Sequence, residues 1–191
     1  MVLYRFSLSD EKGEGVIATD VFSVVFRFLH IVPGALWVGA AFLFVAFIGP
    51  SAAEVGPSAG PLLEAAVKKR KVAKVITTLG VITVLAGWTM WVRNLDRAGS
   101  LGDWVGTSFG LALTIGGVLG TITAVVGYVG VGRNVERLVD LGSEMAAAGG
   151  PPSETQQADM ARLQGSLERH GKTDLVLLLL TVSTMATGRY W

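Results

Sequence analysis

Four long apolar runs, separated by polar and basic stretches, limit what this chain can fold into more than any other feature. They cover residues 22–48, 72–92, 104–131 and 174–191. A helix needs about 20 apolar residues to cross a bilayer core, with a working range of about 17–25. The second run fits that length directly. The first and third exceed it and are expected to tilt or protrude. The fourth is marginal: its centre reads LVLLLLTVSTMA and it ends in GRYW. Tyr190 and Trp191 suit an interfacial belt, where Arg189 can snorkel toward the headgroups. The fold class this predicts is all-α: an integral membrane four-helix bundle occupying residues 22–191, behind a polar N-terminal segment, 1–21.

The composition agrees. Charged residues make up 16% of the chain, against about 25% in soluble domains, so much of the surface is expected to face lipid. Residues 7–20 are polar and precede the first apolar run, which is unlike a cleaved signal, so the first span is expected to be retained. A net charge of +1 implies no nucleic-acid partner. The absence of cysteine excludes disulfides, thiolate metal sites and thiol catalysis.

Lys68, Lys69, Arg70 and Lys71 lie between the first two runs, with Lys74 just inside the second. By the positive-inside rule this short basic connection is cytoplasmic, which places both termini outside a multi-pass protein of the cell membrane. The connection 132–173 carries Arg133, Arg137, Arg162, Arg169 and Lys172 on the same side. Its first part has apolar positions at roughly helical spacing (Val135, Leu138, Val139) and extends the third run into the cytoplasm. Gly149, Gly150, Pro151 and Pro152 stop that helix. Ser153 with Gln156 predicts a capping box for a last helix running into the fourth span.

Few polar groups fall within the spans. His30 lies roughly 12 Å into the first, at 1.5 Å per residue. Ionisable groups at such depth usually face a protein interior or a cavity. On a helix, Ser23, His30, Gly34, Trp37 and Ala41 share one face, and Pro33 beside it removes a backbone donor. Two readings stand: a neutral histidine hydrogen-bonded to a neighbouring helix, or a ligand for haem or a metal ion. His170, the other histidine, belongs at the opposite, headgroup level. Met90 and Met185 fall in the same leaflet as His30 and are either packing residues or soft ligands that would complete a His/Met set for haem or Cu(I). Two copies of the chain presenting His30 to one haem is a further arrangement. Arg27, one turn before His30, either snorkels or pairs with an anionic group such as a haem propionate. Lys74 and Asp174 lie at the cytoplasmic ends of their spans, placed for an ion pair or for solvation.

The third run is glycine-rich. Gly116 with Gly120 and Gly106 with Gly110 each form a G-x-x-x-G, extended by Gly127 and Gly130. Such a stripe admits close helix approach, within the bundle, at a homo-oligomer face or against a flat cofactor. The second and third spans hold no Asp or Glu, which disfavours a proton-coupled transporter. No nucleophile–base set, Walker motif or HExxH is present, and an intrinsic catalytic activity is not expected.

The first span, FRFLHIVPGALWVGAAFLF, carries His30, Trp37 and Gly39 as H-x6-W-x-G. It resembles the first helix of the copper-resistance membrane protein D group and of the membrane N-terminal region of cytochrome-c-linked urate oxidases. Gly49-Pro50 closing the span, KKRK before the second and MATGRYW at the end extend the likeness over most of the chain. The resemblance implies copper handling or b-type haem, and a redox partner subunit. It carries over His30 alone as ligand, and no urate oxidase activity. No C-x-x-C-H is present, so covalent haem is absent. The functional expectation is a membrane redox or assembly component binding b-type haem or copper near the outer leaflet, with His30, Arg27, Trp37, Met90 and Met185 as site residues. The alternatives are a cofactor-free accessory subunit and a small transporter or channel.

Overall fold

The computed structural model describes the backbone of residues 13–190 and the side chains of residues 21–190. Every element among these is helical. Helix α1 spans Gly13–Leu43 with Pro33 inside it, so the change from polar to apolar sequence near residue 21 falls within a helix and bounds no element. Residues 1–12 of the polar N-terminal segment lie outside the described residues.

Gly49-Pro50 does not end the first helix. The chain widens into a π-helical turn, Phe44–Ile48, in which the Gly49 N–H bonds to the Phe44 carbonyl, and α2 (Gly49–Val55) follows directly with Pro50 in its first turn. The π turn widens the helix just ahead of Pro50, which has no N–H to donate, so the ring is carried without ending the helix. The break comes at Gly56, whose φ of 68° suits glycine. A 3₁₀ turn, α3 (Gly60–Glu64) and a second π turn, Ala65–Lys69, lead to Lys71 in the left-handed region. The basic connection is therefore largely helical. Lys68 pins it to the following layer, with Nζ 3.1 Å from Asp140 and 3.0 Å from the Ser143 hydroxyl.

Helix α4 (Val72–Ala98) is the second span. Trp104, expected to open the third, lies instead in a short separate helix, α5 (Leu101–Val105). The chain turns at Thr107, whose hydroxyl accepts the Gly110 N–H and caps α6 (Ser108–Val126). Gly106 and Gly110 therefore straddle a helix start and share no helix face. A side chain at Gly110 would collide with the Trp104 carbonyl. A π turn, Gly127–Gly132, joins α6 to α7 (Arg133–Ala148), which ends at left-handed Gly149. Helix α8 (Glu154–Thr187) opens with the Ser153–Gln156 capping box.

Among the described residues, three helical runs are long and apolar enough to cross a membrane: Val21–Lys69, Val72–Ala98 and Ser108–Ala148. Helix α8 is long, but Lys172 and Asp174 cut into its apolar part, which starts only at Leu175. Length and hydropathy thus support three spans and not the fourth.

Helices α6 and α8 run antiparallel with glycine on one side of the seam. Met185 lies over Gly116, Thr181 over Gly120, Asp174 over Gly127 and His170 over Gly130. The fully buried Thr123 and Leu178 lie between them in the sequence of both helices. The glycine stripe of the third run is thus used within the chain, by α8. Helix α4 joins α6 through two tryptophans. Trp88 Nε1 donates to Thr121 Oγ1 at 2.9 Å and Trp91 Nε1 to Thr114 Oγ1 at 2.8 Å. Each threonine in turn donates to the carbonyl one turn back. Interhelical hydrogen bonds in membrane proteins average about 0.6 kcal/mol. Thr121→Val and Thr114→Val should each lower unfolding free energy in mixed micelles by about that amount, and the two should nearly add. A loss above roughly 2 kcal/mol for either would mean that the tryptophan anchors more than this bond.

Candidate functional site

The α1–α4 seam brings together the residues singled out in the first span. Large side chains and glycines alternate across it. A methyl at Gly87 would sit 2.8 Å from Cε1 and 2.9 Å from Nδ1 of His30. A methyl at Gly34 would sit 3.1 Å from Cγ2 of Thr83. One at Gly80 would sit 3.1 Å from Cε2 of Trp37. Positions 30, 34 and 37 on α1 thus meet 87, 83 and 80 on α4 in antiparallel register. These spacings are those of one helix face, so the face predicted for His30, Gly34 and Trp37 is the one that packs. Trp37 is buried and His30 half-buried.

His30 is also hydrogen-bonded. Its Nδ1 lies 2.7 Å from the Thr83 carbonyl oxygen. A carbonyl only accepts, so Nδ1 carries the proton and, in the neutral ring, Nε2 keeps its lone pair. This is the arrangement in which a histidine is oriented through one nitrogen and ligates through the other. The Thr83 hydroxyl is occupied by Leu79 O at 2.8 Å, which leaves its carbonyl as the partner for the imidazole.

The other candidates are dispersed. Arg27 is exposed. Further along the same seam Arg93 stacks on Phe22 at 4.3 Å, so a cation–π contact fixes that end. Met90 is half-buried on α4, one turn beyond Gly87 and on the same helix face. Met185 belongs to the other seam, with Cγ 2.6 Å from where a methyl on Gly116 would lie. His30 and Met185 are thus held in different seams. His170 packs on Gly130 and bonds through Nδ1 to the Ser166 carbonyl at 2.8 Å. No group of three or more His, Cys, Asp or Glu gathers as a metal cluster among the described residues.

Two features differ from or add to what the sequence predicts. The receiving face of α4, Gly80, Thr83 and Gly87, carries small residues at helical spacing, a signal available in the second span. Asp174, expected at the membrane edge beside Lys74, is only 5% exposed, and its Oδ1 has no hydrogen-bond partner. No ion pair joins it to Lys74, which lies on the α4 side of the bundle. Comparison with family models, curated proteins and solved structures finds no match to this chain.

Proposed function

We propose that this chain is a multi-pass membrane protein that holds b-type haem or copper through Nε2 of His30 and serves as a redox or assembly component of a membrane system. The observation behind this reading is the 2.7 Å bond from Nδ1 to the Thr83 carbonyl. With Nδ1 donating to that carbonyl, Nε2 is the nitrogen left to ligate. One imidazole per chain suits a group that takes its second ligand from another copy or from Met90. Bound haem or copper would supply one-electron chemistry. What the chain does is orient the ring with Thr83, seat it over Gly87 and keep Trp37 packed one helix turn-pair away. The second ligand in this reading is His30 of a second copy, or Met90 on the same face of α4.

The bundle is proposed to have four membrane helices. The apolar part of α8 exposes Val176, Leu179, Leu180 and Val182 while its other face fills the α6 seam, and a bilayer suits such a face. The basic connection and α7 are then cytoplasmic, and both termini outside. The glycine stripe being taken by α8, an oligomer would form through other faces.

A second reading has its own support: His30 already serves packing, as the knob over Gly87. In that case the chain is a cofactor-free accessory subunit. Absorbance and copper analysis of protein purified from cells supplied with haem and copper separate the two. The expected result is a Soret band or about one copper per one or two chains, lost in His30→Ala while the bundle stays folded. A colourless, metal-free wild type sinks the cofactor reading.

A further inference from the structure

We propose that the cavity between the start of α4 and the π turn Gly127–Gly132 binds the phosphate group of a membrane phospholipid. The cavity measures about 320 Å³, the lower end of the range for ligand sites and suited to a headgroup more than to a larger organic molecule. Lys74, Thr77 and Thr78 of α4 form one wall, and Tyr128, Arg133 and Glu136 the other. Lys74, Thr78, Tyr128 and Arg133 are exposed at its edge, with Thr77 and Glu136 half-buried behind them.

Three observations point to a phosphodiester. Two cations and one carboxylate converge here, and the ion pairs formed among the described residues include none of them. Helix α4 begins at the cavity without a side-chain cap on Lys71, so its free N–H groups and positive dipole end favour an anion. The cavity also lies where apolar helix gives way to polar helix. Lys74 sits two residues inside α4 and Arg133 opens α7, which is headgroup depth on the side with the basic connection.

Glu136 sharpens the assignment. A lone phosphate gains nothing from a carboxylate in its site. A headgroup that carries a donor beyond the phosphate does, through an ammonium or a hydroxyl that Glu136 accepts. Ethanolamine and glycerol headgroups have such a donor; choline has none. The cavity therefore takes the phosphate on Lys74 and Arg133 and the donor on Glu136, and prefers phosphatidylethanolamine or phosphatidylglycerol to phosphatidylcholine.

The inference rests on the membrane reading and is independent of any cofactor at His30. It is tested on the full chain in detergent, by native mass spectrometry and thermal melting with each of the three lipids, and with inorganic phosphate in place of lipid. Wild type should retain one ethanolamine or glycerol phospholipid and melt higher with it. In Lys74→Gln/Arg133→Gln affinity should fall roughly thirtyfold, as expected for two basic contacts. Lys69→Gln/Lys71→Gln, with the same charge loss outside the cavity, should bind as wild type. Glu136→Gln should bind all three lipids alike. Equal binding by the two double variants overturns the site, and equal stabilisation by inorganic phosphate overturns the lipid as its source. Recovery of wild type in the membrane fraction, with the His30 absorbance or metal content of each variant, keeps these outcomes separate from failure of the membrane or cofactor reading.

Discussion

Replacing Gly87 with leucine is expected to expel His30 from the α1–α4 seam at a cost in stability and, on the proposed cofactor reading, to abolish haem or copper binding. A single methyl at this position already comes within 2.8 Å of the imidazole, closer than side chains pack. The ring cannot yield freely, because its Nδ1 is held by the Thr83 carbonyl at 2.7 Å. Either the bond breaks, at about 1 kcal/mol, or the helices separate and Trp37 over Gly80 loosens as well. Overpacking of this kind costs about 1–3 kcal/mol. Gly87→Ala is the milder case: removing glycine from a helix interior recovers up to about 1 kcal/mol, which offsets part of the clash but not the displaced ring. Gly39→Ala is the control within the same motif. Nothing lies within 4 Å of a methyl there, so it should be neutral or slightly stabilising. Melting in detergent, paired with the Soret band or copper content, measures both consequences. A Gly87→Leu protein that melts with wild type would show that His30 is not seated as described.

The H-x6-W-x-G spacing made the donating face of α1 readable, because helical periodicity is local. The receiving face on α4 was not, because which glycines lie opposite His30 and Trp37 is settled by the antiparallel register of two distant segments. The glycines of the third run invited close packing, yet nothing local says whether α8 or a second copy fills them. Two breaks were misplaced for opposite reasons. Gly49-Pro50 reads as a stop, but a π turn absorbs the misfit ahead of the proline and the helix continues. The apolar run through Trp104 reads as continuous, while Thr107 supplies a cap that restarts the helix at Ser108. The fourth run is the least decided by hydropathy, because its length includes Asp174 and the polar residues that follow Thr187.

Asp174 gives the other large effect, and its sign is the unusual one: Asp174→Ala should stabilise the protein. The carboxyl is only 5% exposed and Oδ1 has no partner, while the surface opposite is the bare backbone of Gly127, where a methyl would lie 3.2 Å from that oxygen. A buried polar group left unsatisfied costs about 1–3 kcal/mol. Alanine removes that cost and adds roughly 0.5 kcal/mol of helix propensity. The opposing term is the space left behind; at about 24 cal/mol per Å³, a void of some 30 Å³ costs under 1 kcal/mol. The net is a gain of about 1–2 kcal/mol, read as a higher melting temperature in detergent and in lipid. Asp174→Asn should gain less, since its amide remains polar in the same apolar seam. A residue that costs stability where Leu178 and Thr123 pack fully is a strong sign of use beyond folding, as such costs concentrate at functional sites. The experiment divides the cases. If Asp174→Ala melts lower, Oδ1 is satisfied in solution by a group from outside the chain. If it melts higher, the carboxylate is a cost the fold carries, and the α6–α8 seam joins His30 as a place to look for chemistry.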